Sequence, residues 1–218
     1  MMKLYGALAS PYVARVVLAA RYKKLELPVE MPAGGLKSPE YLAMNPFGKM
    51  PTLEHGGRHV IESEVICEYL EELHPEPSIL PGDALARAHA RTVSRVLDLY
   101  VGPETSVMFR QLNPATRDAA AVEAAKGKLA DAVRILDGLM AGGPWAAGGF
   151  SLADCTLLPR VVLMQKTVVP ALGVPDPASA GPNLAAWWRK VNDDPLTAPF
   201  VPEYGGAVEA FLARLRGG

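Results

Sequence analysis

The stretch Asn45-Pro46-Phe47-Gly48-Lys49-Met50-Pro51-Thr52-Leu53, followed by Val60-Ile61-Glu62-Ser63, constrains the fold more than any other. It reads as an exposed loop, a proline-locked backbone edge, a short hairpin and a polar helix start. Thr52-Leu53-Glu54 and His59-Val60-Ile61 flank Gly56-Gly57, which is hairpin chemistry. From Ser63 onward, Val65, Ile66, Tyr69, Leu70 and Leu73 recur at helical spacing. Strand, turn, strand and helix follow one another with no room for insertions.

Upstream, Lys3-Leu4-Tyr5-Gly6 is strand-like. Pro11 suits a first helical turn, where its missing N–H costs nothing. Val13, Val16, Val17 and Ala20 give the helix behind it an apolar stripe. Leu27-Pro28-Val29-Glu30 predicts a second strand, at an edge or a strand start because of Pro28. Ser38-Pro39-Glu40-Tyr41-Leu42 opens a short helix. The order is βαβ, then ββα. Pro75-Glu76-Pro77-Ser78 and Pro81-Gly82-Asp83 break all periodicity. The expected organisation is therefore an α/β domain over 1–77, a linker over 78–85, and an all-α domain over 86–218. One long pattern runs from Ala84 to Leu112, with a kink expected at Gly102-Pro103. A second runs from Ala115 to Met140 through Val122, Leu129, Val133 and Leu136. Ser151-Leu152-Ala153-Asp154 has the form of a capping box, and Pro159 lies inside its helix. Shorter helices are expected over Leu184–Asn192 and Ala207–Arg214.

With 218 residues, 50% of them hydrophobic, the chain can bury a core in each half. A formal net charge of -1 favours neither nucleic acid nor an anionic membrane as partner. No apolar run approaches the roughly 20 residues of a membrane span. The residues from Met1 to Gly6 lack the apolar stretch of a signal peptide. Cys67 and Cys155 stand far apart without C-x-x-C spacing, which points to a reduced, cytoplasmic protein with no disulfide framework. His55 and His59 are separated by glycines, so they form no helical metal face, and no metal is expected. Cys67 reads as a packed thiol. Arg87, Arg91 and Arg95 form a helical stripe that a partner subunit could meet, with Glu68, Glu71 and Glu72 as acidic counterparts. Trp187-Trp188 read as anchors of the helical core.

The chemistry concentrates at four places. Ser10 stands at the start of a helix, where its hydroxyl either caps the helix or faces a ligand. A cis Met50–Pro51 bond would turn the Met50 backbone outward as an unpaired edge, on which a bound peptide could add like a strand. Ser63 and the N–H groups of its helix start suit a carboxylate, and Glu62 suits an ammonium. Together they fit an α-amino acid end. Lys37 and Lys49 could meet a second carboxylate.

These residues resemble those of the glutathione transferases over nearly the whole chain. The match is strongest from Lys37-Ser38-Pro39-Glu40 through Asn45–Pro51 to Glu62-Ser63 and Tyr69-Leu70. With Ser10-Pro11-Tyr12-Val13-Ala14-Arg15-Val16 it is similar to the serine-type classes (phi, theta, tau, zeta), and Phe150-Ser151-Leu152-Ala153-Asp154 resembles the family's second-domain capping box. Leu36 stands where phi members often place histidine, and Lys49 where many place glutamine.

The resemblance implies a thioredoxin-like first domain and an all-helical second one. It implies that Ser10 hydrogen-bonds the glutathione thiolate and that Met50, beside cis Pro51, pairs its backbone with the cysteinyl unit. Glu62 and Ser63 would hold the γ-glutamyl end, and Lys37 and Lys49 would face the glycine carboxylate. Tyr12, Met108, Phe109 and Tyr204 are candidates to line the seat of the electrophile, between the loop before Tyr12 and the long helices. Glutathione is the co-substrate, no metal is needed, and a cytosolic homodimer working in detoxification is expected. A free thiol has a pKa of ~8.5, so lowering it by two units takes roughly 2.7 kcal/mol. A hydrogen bond to a charged acceptor supplies ~1.5–3 kcal/mol, and a helix end roughly 0.3–1. Redox-type relatives carry a cysteine in a Cys-Pro-Tyr motif, whereas Ser10-Pro11-Tyr12 cannot form a mixed disulfide. The expected activity is thiolate transfer to an electrophilic small molecule. A glutathione-dependent isomerase, dehalogenase or ether-cleaving enzyme, or a non-catalytic interaction module, are the alternatives.

Overall fold

A computed structural model describes residues 2–140 and 143–217. Met1, Ala141, Gly142 and Gly218, which the expected domain spans include, lie outside the described residues. The chain divides into two compact units, 2–79 with 206–217, and 80–205. The expected linker, 78–85, contains that division.

The first unit holds β1 (Met2–Tyr5), α1 (Pro11–Tyr22), β2 (Val29–Glu30), α2 (Pro39–Met44), β3 (Thr52–His55), β4 (Arg58–Ile61) and α3 (Ser63–Leu73). The strands form one four-stranded sheet in the order β2-β1-β3-β4. β1 and β2 run parallel, and β1–β3 and β3–β4 are antiparallel. β2 is an edge strand of two residues, as Pro28 predicts. α1 and α3 pack together. Leu4 and Leu53 on the sheet, Val13, Val16 and Leu18 on α1, and Ile66, Cys67 and Leu70 on α3 are fully buried. Cys67 is thus the packed thiol expected of it.

The second unit is helical: α4 (Ala84–Val96), α5 (Gly102–Arg110), α6 (Ala119–Leu139), α7 (Leu152–Lys166), α8 (Val168–Leu172), α9 (Pro182–Asp193) and the first part of α10 (Thr197–Gly217). Three elements depart from expectation, the first being α8, a short helix that the sequence pattern does not place. The interruption between α4 and α5 is a π-helical turn over Leu97–Val101, just before the expected kink. The Gly102 N–H reaches back five residues to the Leu97 carbonyl. Pro103 cannot donate and its ring crowds the turn behind it, so the ladder widens upstream. The last helix starts at Thr197 and runs through Pro202 and Gly205-Gly206. Phe200, Tyr204, Val208 and Leu212 are buried at intervals of four, so burial of one stripe outweighs the local breakers. The capping box is present: the Asp154 carboxylate accepts from the Ser151 N–H at 2.9 Å and from its hydroxyl at 3.1 Å. Trp187 is fully buried and donates its indole N–H to Asp154 at 2.9 Å. No helix among the described residues is long and apolar enough to cross a membrane.

Candidate functional site

Sheet register brings three chain segments to one end of the first unit. Tyr5 pairs with Thr52, and Thr52 pairs with Ile61. The loop after β1, the residues before β3 and the residues after β4 therefore meet at the same edge. They carry Ser10, Met50-Pro51 and Glu62-Ser63. The Ala7 N–H approaches the Met50 sulfur at 3.4 Å, which ties the Ser10 loop to the β3 approach. A Cβ at Gly6, where φ is +157°, would lie 2.5 Å from Val13 Cγ2, so glycine lets the end of β1 pass this close to α1.

Ser10 is the N-cap of α1, with φ -76° and ψ 126°, and Pro11 opens the helix behind it. Its hydroxyl makes no bond to its own helix. At three other helix starts the cap side chain is used: Ser38 accepts from Tyr41, Asp83 from Ala86 and Asp118 from Ala121. Of the two roles open to Ser10, capping is not the one adopted. Ser10 is half-buried and stands at the helix N-terminus, where partial positive charge favours an anion.

The Met50–Pro51 bond is cis. The Lys49 carbonyl, one bond before Met50, accepts the Tyr41 hydroxyl at 2.6 Å and the Asn45 amide at 2.9 Å. Among the described residues the Met50 N–H and C=O make no backbone hydrogen bond. At Gly48, φ is +57° and a Cβ would sit 2.8 Å from the Leu36 carbonyl, which excludes any other residue.

Glu62 lies just before α3 with φ +67° and ψ 114°, a conformation that L residues rarely adopt. It is exposed and, like Ser10, makes no side-chain cap bond. Such strain costs on the order of 1–3 kcal/mol and concentrates where a ligand is clamped. Ser63 is the first residue of α3 and only 5% exposed. Lys37 and Lys49 are exposed on the loop side, and the Lys37 ammonium donates to the Phe47 carbonyl at 3.4 Å. Sheet register thus gathers the segments that carry an uncommitted hydroxyl, an open peptide edge and a helix start, with the exposed Lys37 and Lys49 on the loop that leads into β3. They suit a small, extended, anionic peptide.

The remaining candidates are placed differently. Tyr12 is half-buried on α1, with the Arg15 guanidinium 5.7 Å from its ring centre. Phe109 is half-buried on α5 and its neighbour Met108 wholly buried. Tyr204 is wholly buried, stacked on Phe200 with centroids 6.1 Å apart. Burial pushes its hydroxyl well above the ordinary phenol range, with Arg160 opposing. His55 bonds the Tyr69 hydroxyl at 2.7 Å and His59 is exposed. Among the described residues no three His, Cys, Asp or Glu side chains are grouped as metal donors. Sequence reasoning missed Tyr41 and Thr52 as part of the site. Their only local signal is adjacency to Asn45 and Pro51.

Residues 4–78 match the family model described as glutathione S-transferase, N-terminal domain, and residues 119–189 that described as glutathione S-transferase, C-terminal domain. Glutathione S-transferase 3 of Zea mays is 30% identical over 203 residues, 87% of this chain and 88% of that protein. Maleylacetoacetate isomerase of Pseudomonas aeruginosa is 39% identical over 108 residues, 47% of this chain and 51% of that protein. Among solved structures, a tau class glutathione S-transferase from mango, Mangifera indica, superposes with a TM-score of 0.80 at 27% identity, covering 98% of this chain and 97% of that one.

Proposed function

Because the chain belongs to the glutathione S-transferase family, we propose that Ser10 stabilises the thiolate of glutathione for attack on an electrophilic small molecule. The chain is a glutathione transferase, thioredoxin-like in its first unit and helical in its second. The observation that carries the assignment to Ser10 is its hydroxyl, which stands at a helix N-terminus without capping it.

The other seats follow. The Met50 backbone pairs with the cysteinyl unit. Ser63 and the first N–H groups of α3 take the γ-glutamyl carboxylate, and Glu62 takes its ammonium. Lys37 and Lys49 take the glycine carboxylate. Proximity and a preset anion seat then lower the barrier to substitution or conjugate addition. No general base is needed, because ~1.5–3 kcal/mol from the hydroxyl and roughly 0.3–1 from the helix end cover the shift of the thiol. Of the candidates on the helical unit for the electrophile, Phe109 keeps part of its surface exposed, which favours it over the wholly buried Met108 and Tyr204.

The test is Ser10→Ala. We expect kcat/KM to fall by about 10- to 150-fold, the rate equivalent of the lost hydrogen bond. Binding of S-methylglutathione, which has no thiol, should stay within about twofold. Full activity in the variant would overturn the assignment.

A second reading, a glutathione-dependent isomerase, is favoured by the match to the Pseudomonas aeruginosa isomerase over half of that protein. Turnover of a maleyl-type substrate without turnover of model electrophiles would select it.

We further propose a cytoplasmic homodimer. Its acidic–basic pairing differs from the simplest expectation, because Glu71 is committed within its own chain, to Lys23 at 2.6 Å and to the Ile79 N–H at 2.9 Å. An apolar groove of about 560 Å³ on the helical unit supports a second copy as occupant instead. Leu99, Tyr100 and Ile135 line it and are each more than half exposed.

A further inference from the structure

We propose that Tyr41 and Asn45 are positioning residues that aim the Met50 N–H at bound glutathione. The inference rests on the reading of Met50 as the edge that pairs with the cysteinyl unit.

The Lys49 carbonyl and the Met50 N–H belong to one peptide plane. In a trans peptide they point in opposite directions and turn as a unit. Whatever holds the carbonyl therefore sets the N–H. Both lone pairs of that carbonyl are taken from the interior, by the Tyr41 hydroxyl at 2.6 Å and the Asn45 amide at 2.9 Å. The Met50 N–H must then point away from the Tyr41 hydroxyl and the Asn45 amide, out of the interior those two groups occupy.

Donor bookkeeping closes the network. The Tyr41 hydroxyl has one proton, and it goes to the Lys49 carbonyl. The 2.9 Å contact between Tyr41 and Thr52 is then donated by the Thr52 hydroxyl. Thr52 in turn accepts the second Asn45 amide proton at 3.1 Å, and the Asn45 carbonyl accepts the Phe47 N–H at 3.1 Å. Each donor has one acceptor, so no other arrangement satisfies the set. Tyr41 and Thr52 are fully buried and Asn45 is 3% exposed. Away from water such a chain of bonds polarises along its length, and its last link pulls density from the Lys49–Met50 peptide. That makes the Met50 N–H a stronger donor. Burial, partly offset by Thr52 and Asn45, holds the Tyr41 hydroxyl above its ordinary range, so it stays a donor at any working pH.

Tyr41→Phe removes one oxygen and keeps the packed ring. KM for glutathione should rise about three- to tenfold, the equivalent of one neutral hydrogen bond, with kcat at saturating glutathione retained. In protein labelled with 15N-methionine, the Met50 amide proton should shift upfield, and its response to S-methylglutathione should shrink. Asn45→Ala, which cuts the other bond to the same oxygen, should move KM the same way. Thr52→Val removes the donor to Tyr41 and the acceptor of Asn45 without touching the Lys49 carbonyl, so KM should move the same way but by less than in Tyr41→Phe. An unchanged KM and an unchanged Met50 resonance in Tyr41→Phe would overturn the inference alone. A wild-type Met50 amide that does not respond to S-methylglutathione would overturn the reading of Met50 and the inference with it.

Discussion

The Asp137 carboxylate, near the end of α6, caps a different helix: it accepts the Leu184 N–H, in the first turn of α9, at 2.8 Å. The N-cap of α9 is Gly181, which has no side chain of its own to offer. Asn183 adds a bond to the Asp137 carbonyl at 2.9 Å. A cap is thus supplied across tertiary space, and it welds α6 to α9.

Asp137→Ala should cost about 1–3 kcal/mol, because a buried N–H loses its acceptor. Gly181→Ala should be harmful by packing alone: a Cβ there would lie 2.2 Å from Asp137 Cγ, although φ is unremarkable at -163°. Urea denaturation of both variants and of the double variant measures the coupling. The double variant should be less destabilised than the sum, since removing the carboxylate makes room for the methyl.

Asp154 gives stability a particular pH dependence. Burial pushes its carboxyl up to about 6 from 3.8, against the opposing bonds from Ala146, Trp187 and Ser151. Between those two values the folded state holds a proton that the unfolded state has released. Unfolding free energy therefore falls as pH rises through that window and levels off above it. Asp154→Asn should lose this slope, so its stability relative to wild type should improve from pH 4 to pH 6 in denaturant titration.

The ion pair of Lys23 has the opposite signature, carried by Glu71. The Lys23 ammonium is wholly buried and meets the His74 carbonyl at 2.6 Å, the Pro77 carbonyl at 3.0 Å and Glu71 at 2.6 Å. Glu71 also accepts the Ser78 hydroxyl. Burial alone would raise the Glu71 carboxyl, but Lys23, Ser78 and the Ile79 N–H outweigh it and hold it below the ordinary 4.5. That stability is present above 4.5 and is lost as pH falls through the folded value. Lys23→Met should cost about 3–5 kcal/mol near neutral pH, the penalty for breaking a buried pair. The loss should shrink in acid.

The groove on the helical unit sets the last prediction. Ile135→Asp places a charge on its apolar lining, where Lys128 and Asp131 already stand. Sedimentation at micromolar concentration should show wild type as a dimer and the variant as a monomer with unchanged far-ultraviolet circular dichroism. A wild-type monomer would remove the proposed assembly.

Much of this molecule was readable from neighbouring residues. Pro11, Gly56-Gly57 and Ser151 with Asp154 mark a helix start, a hairpin and a capping box by chemistry that acts within a few bonds, and these are found where expected, whereas Val65 and Leu73 of the expected α3 stripe are exposed. Other features wait on residues far apart in sequence. The π turn at Leu97–Val101, the unbroken helix through Pro202, the Asp137 cap on α9 and the ring joining Tyr41, Asn45, Thr52 and the Lys49 carbonyl are such cases. A sequence displays donors, acceptors and apolar stripes, but which donor finds which acceptor depends on strand register and helix packing. Ser10 shows the difference best: its position at a helix start is local, whereas its hydroxyl being spared from the cap is visible only in the folded chain.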